Sequence, residues 1–181
     1  MPQSRGAPEP LAGEVDLVIG GWRHELPDVD FSPLEVFSRL RRLAAALQTE
    51  RARSFERAGL ETGEFEILSS LCVAPHGTST PSELSALTRT PSATMANRAE
   101  RLEQRGYVKR RWNPDDTRSR IVRITPEGRQ AAERGMRELV AAETRMLGAL
   151  SAEQRAQLVE LLRVLGAEPE ARKAHETTRS R

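Results

Sequence analysis

Ser92, Thr94, Asn97, Arg98 and Arg101 stand at the positions that one side of a single helix would turn outward. Hydroxyl, amide and guanidinium groups at that spacing can hydrogen-bond base edges and phosphates. Asn113-Pro114-Asp115-Asp116 follows as a strong turn signal, which places Arg118 and Arg120 at or just past the tip of a hairpin. A slim basic loop of this kind can enter a minor groove or lie along a phosphate backbone. Asp116, two residues before Arg118, is placed to orient its guanidinium.

Residues 98 to 123 hold nine basic and four acidic side chains, a local charge of +5 in a chain of net charge +2. Each arginine taken alone could be a solvated surface charge. Such a local excess on a near-neutral body is instead the footprint of a phosphate-binding surface.

Little else in the chain could carry chemistry. There are three histidines, no metal-ligand spacing, no glycine loop that would cradle a phosphate and no nucleophile–base pair. Neither an enzyme nor a bound metal or cofactor is expected. Cys72 is the single cysteine, which excludes an internal disulfide and a cysteine zinc cluster. It lies in the apolar stretch LSSLCVA and reads as a buried structural thiol. A redox-responsive regulator acting through Cys72 is the alternative. It needs an exposed thiol with cations nearby, and no basic residue is close to Cys72 in sequence.

The elements that must position these groups are mostly helical. The apolar spacing predicts helices at about 14–24, 32–57, 62–74, 81–87, 91–105, 126–148 and 152–165, with strands at 108–112 and 120–124. Ser32–Glu35, Thr80–Glu83 and Ser151–Gln154 fit capping boxes. Thr90-Pro91 and Thr125-Pro126 fit a cap followed by proline at the first helical position. Two helices in tandem, with Leu84 and Leu87 facing inward from the first and Met95 or Ala96, Ala99 and Leu102 from the second, precede the basic hairpin. That order reads as a winged helix-turn-helix that grips double-stranded DNA.

The fold class is therefore mostly α with a small β-hairpin: a winged helix-turn-helix DNA-binding domain plus a helical dimerisation domain. A disordered N-terminus is expected at 1–13 and a disordered tail at 166–181. Between them come N-terminal helices at 14–57, the DNA-binding domain at 58–125 and C-terminal dimerisation helices at 126–165. Leu34, Phe37, Leu40, Leu43, Ala44 and Leu47, with Leu139, Met146, Leu147, Leu150, Leu158, Leu161, Leu162 and Leu165, exceed what a small winged domain needs for its own core. A second copy of the chain is the simplest cover. No apolar run approaches the roughly 18 residues of a membrane span. The first thirteen residues lack the apolar core of a signal peptide, so a cytoplasmic location is expected.

The stretch LSALTRTPSATMANRAERLEQRGYVKRRWNPDDTRSRIVRITPEGR resembles the core of the MarR family of transcriptional regulators. The marks are Leu-Glu-x-x-Gly at Leu102 to Gly106, Asp-x-Arg at Asp116 and Arg118, and Ile-Thr-Pro-x-Gly-Arg at Ile124 to Arg129. The resemblance covers roughly Leu34 to Leu165. It implies a homodimer held by its first and last helices on pseudo-palindromic DNA, with recognition helices about 34 Å apart.

Glu14 to Glu25, with Val15, Val18, Ile19 and Trp22 on one face, further resembles the extra N-terminal helix of the urate-responsive and PecS-like branch. That resemblance implies an anion pocket of Trp22, Glu66, Arg98 and Arg110, and a repressor released by a urate-like or other organic acid. Two guanidiniums can hold a carboxylate or enolate, and an indole can stack on a flat ring. The branch has Asp where this chain has Glu66, a side chain one methylene longer, which favours an acid of a different shape.

Overall fold

The computed structural model describes residues 12–113 and 116–167, and side-chain positions for all of these except 12, 14, 113 and 116–119. The expected disordered ends lie almost wholly outside the described residues. Seven helices are described: α1 (Ala12–Glu25), α2 (Ser32–Arg57), α3 (Thr62–Val73), α4 (Pro81–Thr88), α5 (Ser92–Gln104), α6 (Pro126–Met146) and α7 (Ala152–Gly166). Three strands, β1 (Thr78–Ser79), β2 (Val108–Asn113) and β3 (Asp116–Ile124), form one antiparallel sheet in the order β1-β3-β2.

The expected hairpin is thus joined by a third strand of two residues, too short to show any alternation in sequence. A single 3-10 turn, Pro75–Gly77, delivers the chain to it. His76 and Gly77 both take positive φ there, 55° and 66°.

One core runs through the centre of the molecule. Ile67, Leu68 and Leu71 of α3 meet Leu84 of α4, Met95, Ala99 and Leu102 of α5, and Val108, Val122 and Ile124 of the sheet. Phe55 of α2 stacks on Phe65 of α3, centroids 4.2 Å apart. The Phe65 ring also lies against Gly135 of α6, where an added Cβ would stand 2.7 Å from the ring. α6 lies along α2, tied by Arg51–Glu143 and Arg57–Glu138 ion pairs at 2.6 and 2.8 Å.

Leu87 does not face this core as expected; it is 70% exposed. Thr88 takes the inward place instead, bonding its hydroxyl to the Leu84 carbonyl at 2.8 Å. One full turn plus about 40° separates residues 84 and 88, whereas 84 and 87 are about 60° apart in the other direction.

α1 adds a satellite cluster of Val15, Ile19 and Phe31. Arg39 pairs with Asp16, and Arg23 with Glu35, so α1 and α2 run in opposite directions. The expected apolar face of α1 is narrower than its sequence suggested. Val18 is exposed and Trp22 is 51% exposed, because α2 covers only the Val15–Ile19 stripe.

The caps divide. Thr80–Glu83 and Ser151–Gln154 form both halves of a capping box, and the Thr125 hydroxyl accepts from the Gly128 N–H. Ser32 does not cap α2. Asp30 accepts from both its N–H and its hydroxyl, at 2.9 and 2.8 Å. Those bonds, the backbone one first, hold the Asp30 carboxyl below its ordinary value. Thr90 does not cap α5 either; Pro91 holds that position and the Thr90 hydroxyl accepts from Arg98. A further capping box, Glu61 with Glu64, opens α3.

Candidate nucleic-acid interface

α4 and α5 pack as a helix-turn-helix, joined at Arg89, which closes α4 in the left-handed conformation at φ 50°. Met95, Ala99 and Leu102 anchor α5 inward, and Ala96 is exposed. The opposite side presents Ser92, Thr94, Asn97 and Arg101, all exposed, with Arg98 half-buried. Thr94, Asn97, Arg98, Glu100, Arg101 and Gln104 line a shallow groove of about 440 Å³ along this side. Gly106, with φ 74°, ends the element and turns the chain into β2.

Part of the basic run is neutralised within the chain, at Arg98, Arg101, Arg105 and Arg110. Arg101 holds Glu61 through both nitrogens, at 3.1 and 3.0 Å. Arg105 reaches Glu64, a buried carboxylate, at 2.6 Å, donates to the Gly59 carbonyl at 2.6 Å and lies over the Tyr107 ring. Arg110 pairs with Glu103 at 2.6 Å and lies 4.0 Å from Glu100. Burial would raise the Glu103 pKa, but hydrogen bonds from the Arg110 side chain and backbone outweigh it and leave that carboxyl below its ordinary value.

On the wing, Arg120 stacks on Trp112, its guanidinium 4.8 Å from the ring centroid. The side chains of Arg118 and Asp116, and with them the expected orienting contact, lie outside the described residues, as do Pro114 and Asp115.

Of the four residues expected to form the anion pocket, two come together. The Arg98 guanidinium lies 3.8 Å from Glu66, donates to the Thr90 hydroxyl at 3.2 Å and covers Gly63. Arg110 is held elsewhere: its partners Glu100 and Glu103 lie about 200° and 140° round α5 from Arg98. Trp22 is also remote within one chain. Its neighbour Arg23 pairs with Glu35, whereas the crevice at Glu66 is bordered by Arg51. The stretch of α2 between Glu35 and Arg51 spans about 24 Å at about 1.5 Å per residue.

The crevice itself, about 320 Å³, is lined by Arg51, Phe65, Glu66, Ser69, Ser70, Leu87, Thr88 and Arg89. Arg51 and Arg89 carried no signal of this place, since one lies mid-helix and the other in a turn. Only packing α2 against α3 and α4 brings them to Glu66.

Residues 64–142 match the family model described as a winged helix DNA-binding domain. The HTH-type transcriptional regulator PecS of Dickeya dadantii is 32% identical over 151 residues, covering 82% of this chain and 90% of that one. The chain belongs to the MarR family, in its PecS-like branch.

Solved structures agree with this membership. A MarR family transcriptional regulator from Streptomyces coelicolor in complex with DNA has a TM-score of 0.62 at 25% identity, covering 72% of this chain and 82% of that one. A Mycobacterium tuberculosis MarR family protein in complex with DNA has a TM-score of 0.60 at 26% identity, covering 73% and 98%. This family member is thus a DNA-binding transcriptional regulator rather than an enzyme.

Cys72 is half-buried beside the core rather than fully enclosed. Arg129, remote in sequence, acts on it electrostatically, but burial is the larger effect and pushes the thiol up. A thiol held protonated is a poor nucleophile, and no observation favours the redox alternative. Among the described residues, no helix is long and apolar enough to cross a membrane.

Proposed function

We propose that the chain works as a homodimeric repressor, released from a pseudo-palindromic operator by a small organic anion. Arg98 carries this reading. It stands on the recognition helix beside Thr94 and Asn97, yet it reaches back to Glu66 of α3 and to Thr90. Arg98 does not line the crevice but meets it at Glu66, so an anion held there competes for the same guanidinium. Because the helix is tied to α3 through that contact, the ligand favours one of two helix positions and changes DNA affinity by its differential binding.

Ser92, Thr94 and Asn97 are the base-reading groups of this proposal, and Arg98, Arg101, Arg118 and Arg120 the phosphate-facing ones. Arg51 and Arg89 join Glu66 and Arg98 as ligand groups, and the anion is urate-like or another planar organic acid. Arg110 and Trp22 enter only through rearrangement of the wing or through the second subunit. Dimerisation is supported by Leu34, Phe37, Leu43, Leu161 and Leu162, which stand exposed on α2 and α7; Leu43, Leu161 and Leu162 line an apolar hollow of about 470 Å³.

The test is a gel shift on promoter DNA beside the protein's own gene, repeated with purines, aromatic acids and tricarboxylates. Binding that weakens steeply with salt and is reversed by one anion class supports the reading. Absent or salt-independent binding sinks it. Light scattering that gives a monomer sinks the dimer.

A further inference from the structure

We infer that the base of the wing, on the side of the sheet away from the recognition helix, holds a second anion site that takes a phosphoryl oxyanion. His76, Lys109, Arg123 and Arg129 gather round a hollow of about 490 Å³ floored by Ile124, Thr125 and Pro126.

The register makes the gathering unusual. Lys109 and Arg123 stand directly opposite each other on β2 and β3. Like charges in that position destabilise a sheet. Val108, Val122 and Ile124 of the same strands turn inward, so Lys109 and Arg123 share the outer face. Arg129 approaches from the first turn of α6 and lies over Gly77, its guanidinium 3.6 Å from where a Cβ would stand. His76, in the turn just before, completes the rim.

Arg98, Arg101, Arg105 and Arg110, in the same basic run, each hold a carboxylate. Among the described residues, no ion pair joins His76, Lys109, Arg123 or Arg129 to a carboxylate. Glu133, which with Arg129 acts on the Cys72 thiol, does not line the hollow.

Two guanidiniums and an ammonium converging on one concavity suit a group with several equivalent oxygens and more than one negative charge. Phosphate oxygens fit that description. A free phosphate monoester or pyrophosphate supplies them in one group, and the DNA backbone beyond the operator core supplies them through two neighbouring phosphates of one charge each. The site differs from the crevice at Glu66, which lies on the other side of α3 between α2 and α4, and it does not depend on that crevice binding anything.

Pyrophosphate titration of the DNA-free, full-length protein, followed at the His76 imidazole resonances, tests the site directly. At about 0.15 M salt, where loose surface attraction is screened, a saturable shift is expected that weakens at least about tenfold in Arg123→Gln and in Lys109→Gln. Arg53→Gln, an exposed arginine outside the hollow, should leave it unchanged. Operator duplexes with short and long flanks separate the sources. A loss of affinity in Arg123→Gln confined to the long duplex assigns the phosphate to DNA, and unchanged affinity on both, with the pyrophosphate response present, assigns it to a free ligand. A non-saturable shift, or one unaltered in both variants, together with no flank-dependent loss, overturns the inference. Because the titration contains no DNA, its failure is distinct from failure of the operator reading.

Discussion

The guanidinium of Arg98 occupies the space that a side chain at position 63 would fill. A Cβ built on Gly63 stands 2.2 Å from Arg98 Cζ. The absence of a side chain on α3 is therefore what lets the recognition helix reach back to Glu66 and Thr90. Because the obstructing group is the far end of a flexible side chain, Gly63→Ala should displace Arg98 rather than unfold the protein. Alanine is also favoured over glycine in a helix by up to about 1 kcal/mol. The expected result is an unchanged or raised melting temperature with effector-dependent release weakened about tenfold, a change of about 1.4 kcal/mol. Thermal unfolding and operator titration on the same variant separate the two effects.

Arg101 meets Glu61 through both nitrogens, and this pair opposes DNA binding if Arg101 serves a phosphate. Glu61→Gln keeps an oxygen for the capping of α3 while removing the charge. The pair is exposed, so stability should change by less than about 1 kcal/mol. Operator affinity should rise roughly threefold to tenfold, and its salt dependence should steepen by about one phosphate contact. Affinity measured at several salt concentrations gives both numbers. No change in slope would mean that Arg101 gains no phosphate contact when Glu61 is neutralised.

The wing is fastened to the recognition helix by Arg110 and Glu103, and that fastening should depend on pH. The Glu103 carboxyl lies below the ordinary value of 4.5 in the folded protein. Its contribution is therefore fully present above about 4.5 and lost as pH falls through the lower folded value. Comparing the urea stability of the wild type and Glu103→Gln from pH 7 to pH 3 should show the wild-type advantage vanish at the acid end. An advantage that grows toward acid would contradict the assignment.

Gly128 sits in the first turn of α6 beneath the Tyr107 carbonyl, where an added Cβ would stand 2.0 Å from the oxygen. That neighbour is backbone and cannot swing aside. Gly128→Ala should destabilise by about 3 kcal/mol or more, read as a lowered midpoint in denaturant. Gly59, whose built Cβ meets nothing within 4 Å, is the control for open space, though its positive φ of 73° still strains any side chain.

The helices and the hairpin were legible because apolar spacing repeats over many residues and because Thr80, Thr125 and Ser151 announce starts. β1 was not, since Thr78–Ser79 is too short to show a period. Leu87 was misplaced because three-residue spacing leaves two candidate inward positions, and only the position of α3 decides between them. The site was legible as far as Glu66 with Arg98. Arg51 and Arg89 were invisible because their neighbours are set by packing between elements distant in sequence. The internal pairing of Arg101 and Arg105 was hidden for the same reason: their partners Glu61 and Glu64 lie 40 and 41 residues before them. A charge excess counted along the chain overstates the charge that the folded surface offers.

One guanidinium, Arg98, is proposed to serve both the operator and the anion, and that double role decides the rest. It is tested most directly by fluorescence anisotropy of labelled operator DNA across a panel of planar organic anions, for the wild type and for Arg98→Met. At least one anion should weaken wild-type binding about tenfold or more, while operator binding by the variant, though weaker, no longer responds to it. Equal release of wild type and variant, or release of neither by any anion in the panel, would contradict it.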